Sequence, residues 1–143
     1  MSQNLSNYEK IKFLKFVAGC FSQYDNFDSD VCVFIASQFA LESNFGTSFL
    51  ALSFNNYCGM RKPKRRFTFA SLVSSSGFAF YSKFEYCVFD YVLWLQYNRI
   101  SVKDTLNLDR FKRFIFKHNY CPDSDYISRI EAIYNQFINN LNL

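Results

Sequence analysis

The residue best placed to do chemistry is Glu42. It follows residues 31–41, VCVFIASQFAL, a stretch that is apolar on nearly every side, and Phe39, Leu41 and Phe45 are close in sequence. A helix that is apolar all round is usually the buried centre of its domain, so a carboxyl at its end is partly withdrawn from water. Burial disfavours the charged form and raises the pKa. An acid still protonated near neutral pH can give its proton to the leaving oxygen of a glycosidic bond. The alternative is a glutamate that points to water from the last helical turn.

Other constellations carry less. Residues 61–66, RKPKRR, beside Phe67 and Phe69, resemble a nucleic-acid patch with stacking faces, but six residues are too few and a loop facing anionic wall polymers is equally natural. No nucleic-acid partner is expected. His118 stands three residues before Cys121, which could begin a metal site. A structural zinc wants four ligands, though, and the other cysteines are scattered. A histidine at a helix end, near the negative pole of the dipole, is the better account. No metal or other cofactor is expected. Nothing in the spacing supports a Cys58–His118 thiol dyad. Phe45, Asn55, Asn56, Tyr57 and Tyr81 suit sugar contacts through amide hydrogen bonds and ring stacking, or else turn formation and core packing.

The elements that must position these residues are mostly helical. Apolar positions Ile11, Leu14, Val17, Ala18 and Phe21 predict a helix over 7–21. Asp28 or Ser29 should cap the helix that leads to Glu42, with Asp25 and Asn26 in the loop before it; the helix ends in Glu42–Gly46, where Gly46 can end the turn with positive φ. Ser48–Phe54 reads as a short helix, and Asn55–Asn56 as a turn. Phe67–Phe69 and Phe78–Phe80 flank Ser74–Gly77 and predict a hairpin. Ser82 with Glu85 reads as a capping box for a helix to Tyr97, and helices at 107–118 and 125–141 finish the chain, with Asp123 or Asp125 capping the last. The fold class is α+β, mainly α: a helical lobe with a small β lobe at about 61–81.

A chain of 143 residues with 19 Phe, 10 Tyr and 1 Trp is sized for one domain whose core is largely aromatic. The net charge of +4 suits a polyanionic partner without choosing one. Five cysteines, at 20, 32, 58, 87 and 121, form no CxxC pair and read as reduced thiols. The first twenty residues are too polar for a secretory signal, and no stretch is long enough for a membrane span. The expectation is a soluble chain made in the cytoplasm, and nothing in the sequence fixes an oligomeric state.

The segment SQFALESNFGTSFLA (37–51), followed by NNYCGMR (55–61), resembles the signature of bacterial and phage glucosaminidase domains of glycoside hydrolase family 73: alanine-leucine-glutamate-serine, glycine-x-serine, then two asparagines, two bulky residues and glycine. Cys58 is smaller than the aromatic usual in that pair. Phe80–Ser82 through Phe89–Tyr91 is similar to the family's approach to its next helix. Asn119–Tyr120–Cys121–Pro122–Asp123–Ser124–Asp125–Tyr126 is similar to its late tyrosine–aspartate motif. The resemblance spans about 25–137. It implies a lysozyme-like fold, a peptidoglycan strand as substrate, and cleavage of the β-1,4 bond after N-acetylglucosamine. It places Glu42 as general acid and Tyr120 beside the reacting sugar.

One part of the pattern is missing. Glycosidases usually need two carboxyl groups, yet residues 43–84 contain no Asp or Glu. Glu85 is explained by capping, and Asp123 and Asp125 could face the groove or cap a helix. The gap fits a mechanism in which the substrate's own acetamido group is the nucleophile. It also fits a domain that binds glycan without cutting it. A muramidase or lytic enzyme of the same fold is the nearer rival. Without a leader, delivery to the wall would fall to a phage, a virion or a secretion system.

Overall fold

The structure is a computed structural model describing residues 4–24, 27–100, 107–118, 120–121 and 123–141. Asp25, Asn26, Asn119 and Pro122, named above, lie outside the described residues. Among the described residues six helices and one hairpin follow in the order α1 (Asn7–Phe21), α2 (Ser29–Ser43), α3 (Phe49–Phe54), β1 (Leu72–Val73), β2 (Ala79–Phe80), α4 (Phe84–Tyr97), α5 (Leu108–Lys117) and α6 (Tyr126–Phe137). A single 3-10 turn, Ile138–Asn140, ends the last helix, so α6 stops short of the predicted 141.

The α2 helix is the axis of the helical lobe. Every residue from Val31 to Ala40 is buried, and α1, α5 and α6 pack around it. The expected stripe on α1 is buried at Leu14, Val17, Ala18 and Phe21. Aromatic rings do most of the filling: Phe21 meets Phe39 and Tyr91 edge-on, and Phe34 meets Phe111. Each fully buried ring is worth about 1.5–3 kcal/mol. Asp28 takes the N-cap position of α2 without a side-chain cap bond. All five cysteines are unpaired thiols, with Cys32, Cys58 and Cys87 buried. No helix among the described residues is long and apolar enough to cross a membrane.

Gly46 has the expected positive φ of 82°, at the end of the turn that follows α2. The helix stops at Asn44 (φ 49°), and Phe45 and Gly46 continue in the same left-handed region. Asparagine tolerates that conformation better than most residues. The Ser43 hydroxyl secures the turn by accepting the Gly46 N–H at 2.9 Å.

The β lobe differs in detail from expectation. Leu72 pairs with Phe80 and Val73 with Ala79, while Phe78 bridges to Arg61. The second predicted arm is present, but Phe67–Phe69 is not its partner. Those residues are held elsewhere: the Phe69 N–H and the Thr68 hydroxyl both donate to Asp90 on α4, at 3.2 and 2.9 Å. The capping box also fails. The helix starts at Phe84 with Lys83 at its N-cap and no side-chain cap bond, so Glu85 is the second helical residue, not the third that a capping box requires. Asp125 likewise holds the N-cap position of α6 without a cap bond.

Candidate active site

Glu42 lies in the last turn of α2, half-buried. Its Oε1 accepts a hydrogen bond from the Tyr126 hydroxyl at 2.7 Å. Tyr126 is the first residue of α6, so the packing of α6 on α2 delivers it. Gln38, one turn before Glu42 on the same helix face, donates from Nε2 to the Tyr126 oxygen at 2.9 Å. Its Oε1 accepts from the Tyr91 hydroxyl of α4 at 2.6 Å. A line of three hydrogen bonds thus runs from the core to the carboxyl. Burial pushes the Glu42 carboxyl above its ordinary range, and the Tyr126 hydrogen bond and the positive charge of Arg129 pull it partly back.

The other oxygen, Oε2, faces Gly59. That glycine has φ +70°, and a methyl group built on it would collide with Oε2. With Oε1 committed to Tyr126, a proton on the neutral acid sits on Oε2.

The Gly59 loop is tied down from both lobes. Asn56 is buried and donates from Nδ2 to the carbonyls of Met60 (2.9 Å) and Ala79 (3.0 Å), while its Oδ1 accepts the Met60 N–H. The Cys58 carbonyl accepts from the Tyr120 hydroxyl at 2.5 Å. Tyr120 stacks on Tyr126 with ring planes 5° apart and meets Trp94 edge-on. Burial pushes the phenols of both tyrosines up, and the Glu42 charge adds to this, so both remain protonated donors.

Gly59 and Tyr120 also line a cleft of about 540 Å³. One wall is the basic loop 61–66; the other includes Trp94, Tyr97 and His118. His118 is the C-cap of α5, its ring 4.4 Å from that of Phe114, as its helix-end reading expects.

Of the seven residues singled out in the sequence, Tyr120 lines this cleft and Glu42 lies against Gly59, which lines it too. The other five do not line it. Phe45 packs against Phe13 and Phe137, and Tyr57 against Phe13 and Phe84. Asn55 ends α3 with φ 51° and donates to the Tyr81 carbonyl. Tyr81 is fully buried, its hydroxyl donating to Asp90 at 2.5 Å. The polar atoms of Asn56 and Tyr81 are therefore taken up inside the protein.

Four other acids differ from Glu42 in their engagements. Asp90 is fully buried and satisfied by Arg66, Thr68, Phe69 and Tyr81. Asp123 is exposed and 3.5 Å from Arg129, and Glu85 and Asp125 are exposed.

Three residues of the Glu42 setting were not singled out as site residues: Gly59, Tyr126 and Gln38. Gly59 closes the two-asparagine signature and Tyr126 ends the tyrosine–aspartate motif, so both were in view. Gln38 had a plainer signal, an amide one helical turn before the acid in an otherwise apolar run.

Comparison with known proteins identifies the family and the fold. The family described as glucosaminidase, mannosyl-glycoprotein endo-beta-N-acetylglucosaminidase, matches residues 18–139. No curated protein matches the chain. A chain from the structure of a type VI secretion system effector-immunity complex from Pseudomonas protegens superposes with a TM-score of 0.62 at 16% identity, covering 90% of this chain and 96% of that one. That likeness shows the fold, a mostly helical lysozyme-like domain with a small two-stranded sheet.

Proposed function

Since the chain belongs to the glucosaminidase family, glycoside hydrolase family 73, and is thus a glycoside hydrolase acting on peptidoglycan, we propose that it is an endo-β-N-acetylglucosaminidase with Glu42 as its general acid. The observation that carries this reading is the split environment of one carboxyl. Oε1 is fixed by Tyr126, while Oε2 looks past a residue without a side chain, beside a cleft. Desolvation raises the carboxyl's pKa and so favours its protonated form.

The second carboxylate is replaced by the substrate. The carbonyl oxygen of the 2-acetamido group attacks the anomeric carbon of N-acetylglucosamine as the glycosidic C–O bond breaks. The bonding pair stays with the leaving oxygen, which takes the proton from Glu42 Oε2. This leaves a cyclic oxazolinium on the sugar and a carboxylate at Glu42. Water then attacks the same carbon, its proton passes to Glu42, and the ring reopens with net retention. Tyr120 donates its own proton to Cys58, so its oxygen is left to accept the acetamido N–H and aim the carbonyl. The engagement of Asp90 inside the β lobe supports this reading, because it leaves that acid unfitted for a nucleophile's role.

The test is a digest of purified peptidoglycan by wild type and Glu42→Gln, followed by borohydride reduction and mass spectrometry. New reduced glucosamine ends are expected, lost about 10²–10⁴-fold in the variant. Reduced muramic acid ends would make the enzyme a muramidase, and anhydromuramic ends a lytic transglycosylase. No product, with retained pelleting on walls, would leave a binding module. An N-acetylglucosamine-thiazoline analogue should inhibit. An inverted anomeric product would end the substrate-assisted scheme.

A further inference from the structure

The cleft beside Glu42 carries a charge that glycan chemistry does not require. Sugars of the strand are neutral rings, recognised through hydroxyl and amide groups and by stacking. Yet one wall of this cleft is RKPKRR, all six residues of which line it. Two of the five cations have structural employment: Arg66 pairs with buried Asp90 at 2.9 Å, and Arg61 donates to the Ser76 carbonyl and lies over the Phe78 ring. The side chains of Lys62, Lys64 and Arg65 have no ion pair or hydrogen bond to any described residue. The opposite wall is flat and aromatic at Trp94 and Tyr97.

Three cations with no described partner, across a cleft from two aromatic rings and separated from the proposed general acid by Gly59, form a subsite for an anion borne on a ring. In peptidoglycan the anions that recur along the strand are the carboxylates of the short peptides attached to alternate sugars. Resting on the proposed hydrolysis, we infer that this cleft holds a peptide-bearing sugar adjoining the scissile bond, and that Lys62, Lys64 and Arg65 read the carboxylates of its stem peptide. Specificity on this chain is therefore set partly by stem charge, and it weakens as salt screens the pairs.

The test uses binding, so that it stands apart from catalysis. Soluble glycan fragments with intact stems, and the same fragments with their carboxyl groups converted to amides, are titrated against Glu42→Gln. A second protein adds Lys62→Ala, Lys64→Ala and Arg65→Ala, its folding checked by thermal melting. The first protein should prefer the acidic fragments about tenfold or more at low salt, and the second should lose that preference while binding amidated fragments within about twofold of the first. Equal affinity of the first protein for both fragments would overturn the inference. So would an equal loss on both fragments in the second, which would mark the loop as a mere support. Competition by glycerol-phosphate polymer as strong as that by acidic fragments would overturn the assignment to stem carboxylates. If wild type binds acidic fragments selectively but cuts nothing, the subsite stands and the proposed hydrolysis falls.

Discussion

Two withdrawn carboxyl groups, one in each lobe, show how the same chemical group is put to opposite uses. Asp90, facing the β lobe from α4, is fully buried and has four donors, one of them an arginine. It binds the 66–69 segment and Tyr81 to the helix. Glu42, in the helical lobe, is only half-buried and has one side-chain donor. Its second oxygen faces Gly59, which lines the cleft. Completing the shell of donors makes a carboxylate into a fastener; leaving it incomplete in partly dry surroundings raises its pKa and suits it to the proposed role of acid.

Replacing each by its amide should separate the two uses. The largest effect is on turnover. Glu42→Gln is expected to lose about 10²–10⁴-fold in hydrolysis, measured by release of reducing ends. Asp90→Asn should instead destabilise the β lobe. Removing one partner of a buried pair costs about 3–5 kcal/mol, and here Arg66 would be left with a side chain only 7% exposed. A denaturant titration would read that loss, and a variant as stable as wild type would refute the fastener role. Gly59→Ala tests how narrow the approach to Oε2 is. A methyl there must displace Glu42 and adopt an unfavourable φ, and misplacing a catalytic group by about 1 Å can cost about 10²-fold. Unchanged kcat with an intact melt would contradict the geometry.

A smaller effect bears opposite signs at the two sites. The folded chain holds the Glu42 proton more tightly than the unfolded chain does. Stability therefore falls as pH rises from the ordinary glutamate value, about 4.3, through the raised folded value, and stays low above it. Glutamine carries no such charge. Glu42→Gln should be more stable than wild type at pH 7, by about 0.5–2 kcal/mol, whereas Asp90→Asn should be less stable. The smallest expected change is at Tyr126. Its hydroxyl stabilises the carboxylate, so Tyr126→Phe should raise the Glu42 pKa and move the alkaline limb of the kcat/KM profile to higher pH. A shift the other way would mean the tyrosine favours the protonated form.

Long-period signals in the sequence were readable and short-range ones were not. The stripe on α1 and the all-round apolar run of α2 announce helices because burial imposes their spacing. The position of Glu42 at the end of that run was legible for the same reason. The start of α4 was misread because Ser82 and Glu85 have capping-box spacing, yet the chain enters the helix two residues later than Ser82. Phe67–Phe69 has strand composition, but Asp90, more than twenty residues away, claims its hydrogen bonds. Asn56 and Tyr81 carry groups that suit sugars, and local sequence does not reveal that Ala79, Met60 and Asp90 already engage them.

The line from Tyr91 through Gln38 and Tyr126 to Glu42 has a direction: at each step the donor lies on the core side. An amide cannot hand on a proton it does not replace, so Gln38 acts as an insulator in the middle of the wire. In the proposed mechanism the core would steady the discharged acid but not recharge it. Recharging would come from water on the open side, and a product lingering there would stall turnover by keeping the battery flat.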